Sequence, residues 1–400
     1  MMMEMGELVF CSLAYSMISG TEACGRNPGC FIRRKSMTEI SLCMIVKNEE
    51  SCLARCLESV KGAVDEIIIL DTGSTDRTKE IARQFTESVY DYAWEDDFAA
   101  ARNASLSHAS KPFLFWLDAD DVLERSEKEK LMALKAKIDE HVDAVMLPYH
   151  AAFHADGTPA LIYERERIVR RDAGFVFSGV VHEAMAVSGN VIHEDIVIRH
   201  QKQDKERNPR RNLMIYEKWL ARGRRMSPRD EYYYARELMD CGETARAEQA
   251  FARFLRMDGW IENRIDAFVQ RGNCLMRLGR KEEARRSYLE ALLCAPRAEA
   301  LCALGNCLMD EGDLHTAAFW YRAAMICERP THSGAFVLTD AYGYIPALQL
   351  CVCYDRMGLF KLASQMNEQA LLARPGDPTA LSNRAYFESR LAEQEADTAS

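Results

Sequence analysis

Pro112-Phe-Leu-Phe-Trp-Leu-Asp-Ala-Asp-Asp121 decides the fold class: an apolar strand runs straight into a loop that carries Asp118, Asp120 and Asp121. A strand without polar alternation suits a parallel sheet covered on both faces, and Ile67 to Leu70 upstream has the same character. Working outward, Ile40 to Val46 reads as a strand, followed by an amphipathic helix bearing Leu53, Cys56, Leu57 and Val60. Lys79 to Phe85 reads as helix, Ser88 to Tyr92 as strand and Phe98 to Ala109 as helix. This βαβ alternation predicts a Rossmann-like, mainly parallel α/β sheet, because parallel crossovers are right-handed and wind helices over both faces. Ligands of such sheets collect beyond the carboxyl ends of the strands. Those ends carry Lys47-Asn48-Glu49, Asp71 to Asp76 and Asp118 to Asp121.

Beyond a helix reaching about Ile138 the alternation fades, leaving Ala144 to Pro148, Glu166 to Arg170, Val176 to Phe177 and Val191 to Ile198 as strand candidates. Arg199 to Arg229 is a basic connector. Past it the sequence repeats: a Gly followed five residues later by Ala recurs at Gly242/Ala247, Gly279/Ala284, Gly312/Ala317 and Gly358/Ala363. The period is near that of tetratricopeptide repeats, and small residues such as Gly272 and Gly305 fall where paired helices must touch. The longest spacing implies an insertion around Thr331 to Tyr344. The organisation read from the chain is therefore an extension over 1–36, an α/β domain over 37–225 and an all-α tetratricopeptide-repeat array over 226–400.

Composition narrows the function. The 48% of apolar and 28% of charged residues are those of a folded soluble protein, and a net charge of −10 disfavours phosphate backbones, so no nucleic acid is expected as partner. The 14 cysteines are scattered without a CxxC pair, which indicates reduced thiols and a cytoplasmic protein. Leu8 to Ile18 is apolar, yet Glu4 and Glu7 precede it without Lys or Arg, and it is shorter than the roughly 20 residues of a membrane span. Residues 1–36 read as a disordered extension, neither leader nor span, with the functional chain beginning near Met37.

Asp118-Ala119-Asp120-Asp121 makes a hard-oxygen site for Mn²⁺ or Mg²⁺, the kind that holds a diphosphate. Taken alone it reads first as a turn with a helix cap, and Asp71-Thr-Gly-Ser-Thr-Asp76 likewise reads first as a capped strand-to-helix turn. Neither GxGxxG nor GxxxxGK[ST] occurs, which removes support for a nicotinamide Rossmann domain or a phosphate-loop ATPase.

Four segments together are more specific: Ser41-Leu-Cys-Met-Ile-Val-Lys-Asn-Glu-Glu50, Asp71 to Asp76, Asp97-Phe-Ala-Ala-Ala-Arg-Asn103 and Leu117-Asp-Ala-Asp-Asp121. In order and spacing they resemble family 2 glycosyltransferases of the GT-A fold, over Glu39 to about Arg225. The whole chain resembles the bacterial subgroup with a C-terminal tetratricopeptide array, some members of which glycosylate proteins or peptides. The resemblance implies a nucleotide-sugar donor, with Glu49 lining the nucleotide pocket, Asp71 at the base, Arg102 in support, Asp118 on the ribose or sugar side and at the metal, and Asp120 at the metal. Thr72 stands where the family often has a second Asp, so a uridine base is implied less directly than the metal.

Phe177-Ser-Gly-Val-Val-His-Glu183 sits where the resembled fold places an acceptor-side glycine turn and an acidic base, which implies Glu183 as base of an inverting transfer and His182 as its rival. His200 matches a late histidine that contacts metal or phosphate, and Lys205 and Arg207 would close over the diphosphate. His141, His150, His154 and His193 show no ligand spacing. The implied activity is transfer of a sugar to a protein or peptide acceptor recruited by the repeats. Two other readings remain: an inactive GT-A domain whose array is a protein-interaction scaffold, and a sugar nucleotidyltransferase, which would want a glycine-rich loop where Lys47 to Glu50 has none. Since repeat arrays fold as units of their own, catalysis and acceptor capture are expected to separate near Arg225.

Overall fold

The computed structural model describes residues 37–154, 157–201, 208–330 and 336–399, with side chains as far as 394. The reading of residues 1–36, and the roles given to Lys205 and Arg207, lie outside the described residues.

The first half is built on β1 (Ile40–Val46), β2 (Glu66–Asp71), β3 (Val89–Asp91), β4 (Phe113–Trp116), β5 (Asp121–Val122), β6 (Ala144–Phe153) and β7 (Pro159–Arg170). Helices α1 (Leu53–Val60), α2 (Thr78–Ala82), α3 (Phe98–Ser107) and α4 (Arg125–Lys137) alternate with the early strands. Shorter strands follow: β8 (Phe177–Ser178), β9 (Ala184–Met185), β10 (Val191–His193) and β11 (Ile198–His200). The principal sheet has the order β3-β2-β1-β4-β7-β6-β11-β5.

Strands β3, β2, β1 and β4 run parallel, as the alternating sequence requires. From β4 onward the sheet is mixed: β7 is antiparallel to both β4 and β6. The cause is local, since β6 and β7 follow each other through a short connection, which allows only antiparallel pairing. The Val191 to Ile198 segment breaks into β10 and β11 on either side of Glu194 and Asp195. Both faces are dry, with Leu42, Met44, Phe115 and Ile168 in one core cluster and Cys43, Ile68, Leu114 and Trp116 in another.

After α5 (Arg211–Ala221) come the helix pairs α6 (Pro228–Asp240) with α7 (Thr244–Phe254), α8 (Ile261–Arg277) with α9 (Lys281–Cys294), α10 (Ala298–Asp310) with α11 (Leu314–Met325), and α12 (Tyr344–Arg356) with α13 (Phe360–Ala373), then α14 (Pro378–Ala399). The glycines singled out in the repeats have a steric reason. A Cβ at Gly272 would lie 2.3 Å from the Tyr288 ring, and one at Gly305 would lie 2.5 Å from the Tyr321 ring. Only a glycine lets the second helix of each pair approach so closely.

The array is not simply appended. The insertion between α11 and α12 forms β12 (Val337–Leu338), which pairs antiparallel with Leu161 and Ile162 of β7. Thr339 Oγ1 donates to the carbonyl of Pro159 at 2.9 Å. Around the boundary expected near Arg225 a single apolar cluster joins Val180, Val181, Leu213 and Tyr216 to Tyr232, Ala235 and Phe251. Residues 37–400 form one compact unit. Among the described residues no helix is long and apolar enough to cross a membrane, and the cysteines are free thiols.

Candidate active site

A cavity of 440 Å³ opens at the carboxyl ends of β1, β2 and β4, where the topology places ligands. The turns after β1 and β2 are laced together to form one wall. Asn48 adopts φ +54°, a left-handed conformation that asparagine tolerates better than most residues. That geometry lets its backbone N–H donate to Ser74 Oγ at 2.9 Å while its side-chain oxygen accepts from Thr75 N at 2.7 Å. Glu49 N donates to Thr78 Oγ1 at 2.7 Å.

Asp71 is 1% exposed. Its Oδ1 accepts from the backbone N–H groups of Gly73 and Ser74 at 2.9 and 2.8 Å, which is the turn reading, whereas the buried Oδ2 has no hydrogen-bond partner among the described residues. Thr72, its neighbour, lines the cavity together with Glu49. Cys52 donates its thiol to Glu49 Oε2 at 3.0 Å.

Asp97 caps α3, accepting from Ala100 N at 2.9 Å, and thereby aims Arg102 across the sheet edge. The buried guanidinium bridges two carboxylates: Nη2 donates to Asp118 Oδ1 at 2.6 Å and Nε donates to Glu183 Oε1. Burial would raise the Asp118 pKa, but the charges of Arg102, Arg167 and Arg165 outweigh it and hold the carboxyl far below its ordinary range. Glu183 is 8% exposed, and its Oε2 has no hydrogen-bond partner among the described residues.

Asp120 and His200 face each other, with Oδ1 and Nδ1 3.4 Å apart. Strand pairing sets this up, since β11 runs antiparallel to β5 with His200 opposite Asp121, and Gln201 N donates to the Asp120 carbonyl at 2.8 Å. Burial would lower the His200 pKa, yet the carboxylates of Asp121, Asp120 and Asp118 raise it. Asp120, Asp121 and His200 place their ligand atoms within 4.8 Å of one another. His200 Nδ1 stands between the Asp120 and Asp121 carboxylates at 3.4 and 3.6 Å, an imidazole and hard-oxygen donor set that fits a divalent cation.

Of the ligand set inferred from sequence, Asp120 and His200 come together, while Asp118 is engaged by Arg102; the neighbouring Asp121 lies in the same cluster. Asp121 is itself fully buried and spent on the scaffold: Oδ2 accepts from Asp118 N at 3.0 Å and lies 3.1 Å from Arg167, while Oδ1 accepts from Tyr149 at 2.9 Å. Asp71 and Glu183 stand outside the cavity lining, Glu183 joined to it through Arg102, and His182 is not on the lining either. Its ring stacks on Tyr233 at 4.3 Å, and its Nε2 lies 2.6 Å from Glu237 Oε1. Trp94, Phe98 and Arg211 line the cavity without having been singled out from sequence. Arg211 stands within the basic connector, which was the available signal. Its guanidinium lies 5.1 Å from the Phe98 ring.

Residues 41–184 match the family described as Glycosyl transferase family 2, and residues 265–297, which hold α8 and α9, match the tetratricopeptide repeat. Glycosyltransferase SunS, derived from the SPbeta prophage of Bacillus subtilis, is 30% identical over 218 residues, 51% of this chain and 50% of that protein. Lipopolysaccharide core biosynthesis glycosyltransferase LpsC of Rhizobium meliloti is 32% identical over 161 residues, 38% of this chain and 58% of its own. A TPR repeat-containing protein of Synechococcus elongatus is 49% identical over 88 residues, 22% of each chain. The matched segment thus spans about half the length of the SunS relative. The α/β part of the chain is a family 2 glycosyltransferase domain of GT-A architecture. A tetratricopeptide array follows it.

Proposed function

We propose that this protein is a metal-dependent, inverting glycosyltransferase of the cytoplasm that moves a sugar from a nucleotide-sugar donor, of uridine type, to a protein or peptide acceptor recruited by the repeats. The observation that carries the reading is the Asp120–His200 pair at the rim of a cavity that also presents Glu49, Thr72 and the Arg102–Asp118 pair.

Asp120 and His200 would hold Mn²⁺ or Mg²⁺, which neutralises the charge that develops on the leaving diphosphate. Asp71 would offer its free Oδ2 to an imide N–H of the base, and Lys47 and Arg211 add positive charge to the cavity wall. Arg102 holds Asp118 and Glu183 on one guanidinium, which fixes their separation. Glu183 keeps Oε2 for the acceptor proton and is the base of the transfer. His182, bound to Glu237, has no part in proton removal on this reading.

The test is a screen of nucleotide sugars for slow hydrolysis by the full chain, with and without Mn²⁺. Release of one nucleoside diphosphate, restored after EDTA by Mn²⁺ or Mg²⁺, is the expected result. Failure to bind or cleave any donor would favour the scaffold reading, and full turnover in EDTA would remove the metal from the mechanism.

A further inference from the structure

The four carbonyls from Val180 to Glu183 are each pinned by a different element. Val180 O accepts from Phe98 N of α3 at 3.0 Å, and Val181 O accepts from the Tyr216 hydroxyl of α5 at 3.2 Å. His182 O accepts from Arg229 Nε of α6 at 3.0 Å, and Glu183 O accepts from Arg165 Nη2 of β7 at 3.1 Å. Within this loop His182 has φ +53°. A non-glycine residue stays in that region only where its surroundings over-determine it, and such residues gather at functional sites.

One face of α6 supplies what holds His182. Arg229, Tyr233 and Glu237 are spaced four residues apart, so they stack along one side of the helix. All three meet the same residue: Arg229 grips its carbonyl, Tyr233 lies under its ring with an interplanar angle of 14°, and Glu237 binds its Nε2 at 2.6 Å. Arg229 also lies over the Tyr233 ring at 4.8 Å, and Asn212 of α5 donates to Glu237 Oε1 at 2.9 Å, so the clasp is itself braced. Tyr233 has a further exposure, because it also lines a second cavity of 290 Å³ enclosed by α8, α10 and the β12 insertion.

We propose that Arg229, Tyr233 and Glu237 form a clasp on His182 that positions the Glu183 carboxylate, making the first helix of the array part of the catalytic centre. The inference rests on the role assigned to Glu183 above. These are positioning residues: they touch no reacting atom, but His182 is one peptide bond from the base, and a displacement of about 1 Å there costs on the order of a hundredfold in rate. The array then contributes to the chemical step as well as to acceptor capture. A ligand filling the second cavity would press on the same tyrosine that fixes the base.

The experiment uses the full chain, the donor that the screen identifies, and steady-state hydrolysis. Tyr233→Leu removes the ring under His182, Tyr233→Phe keeps it, and His182→Asn keeps a residue tolerant of the left-handed backbone while removing the stack. The expected result is a fall in kcat of about tenfold to a hundredfold for Tyr233→Leu and His182→Asn, with KM for the donor within about twofold of wild type. Tyr233→Phe should restore kcat, because the hydroxyl makes only a 3.5 Å contact with Arg229. His182 is partly exposed, so His182→Asn decides the matter if the Leu variant does not fold. A wild-type kcat in His182→Asn, or equal losses in Tyr233→Phe and Tyr233→Leu, would overturn the clasp and leave the glycosyltransferase reading standing. A wild-type chain that cleaves no nucleotide sugar would remove that reading and the clasp with it.

Discussion

Asp120→Asn is expected to abolish the proposed metal-dependent donor cleavage while the protein melts at or near the wild-type temperature. The side chain is buried and faces His200 Nδ1 at 3.4 Å, in a cluster where its negative charge stands beside that of Asp121. Removing one of those charges lowers repulsion in the cation-free protein and takes away the hard-oxygen ligand that the cation needs. Asp121→Asn, one residue on, behaves in the opposite way. Asp121 is fully buried, accepts from Tyr149 and Asp118 N, and neutralises the buried Arg167, whose guanidinium lies 4.0 Å from the Trp116 ring. Breaking one partner of a buried ion pair costs about 3–5 kcal/mol, because the other charge is left uncompensated. Nucleotide release with graded Mn²⁺, set beside thermal melts of both variants, separates the two aspartates. Equal loss of stability and activity in Asp120→Asn would make it another scaffold carboxylate.

The contrast between these neighbours shows where the sequence stops being readable. The apolar strand and the carboxylates after it are local features, and they locate the cavity. Which carboxylate faces the cation depends on Arg102, Tyr149 and Arg167, brought in by α3, β6 and β7. Glu166 and Arg167 read from sequence only as part of a strand, yet both are buried and pair with Met185 N and Asp121, while the half-buried Arg165 donates to Glu183 O. A strand of alternating charges carries no apolar period to announce its burial. The repeats were legible for the opposite reason. Gly272 and Gly305 answer Tyr288 and Tyr321 within a single helix pair, so the constraint recurs at a fixed spacing. His200 was found through resemblance alone, and its partner strand β5, only two residues long, has no sequence signature.

A fragment ending at Arg225 is expected not to form a stable, nucleotide-binding domain, in contrast to the separation that the repeat pattern suggests. Val180, Val181, Leu213, Ile215 and Tyr216 are each at most 4% exposed in the whole chain, and their cluster is completed by Tyr232, Tyr233, Tyr234 and Leu238 of α6. Uncovering a large apolar side chain costs about 1.5–3 kcal/mol. Three of them consume most of the 5–15 kcal/mol that keeps an ordinary domain folded. The cut also takes β12 from the edge of β7 and leaves His182 without Arg229, Tyr233 and Glu237. A fragment of residues 37–259 keeps α6 and α7, hence the helix that covers the loop and the one that covers α6. It should recover part of the cooperative melting that residues 37–225 lack, and with it nucleotide binding, which calorimetry with a nucleoside diphosphate and Mn²⁺ would read. If residues 37–225 alone melt cooperatively and bind nucleotide as the whole chain does, the shared core is dispensable, and catalysis and capture part at Arg225 after all.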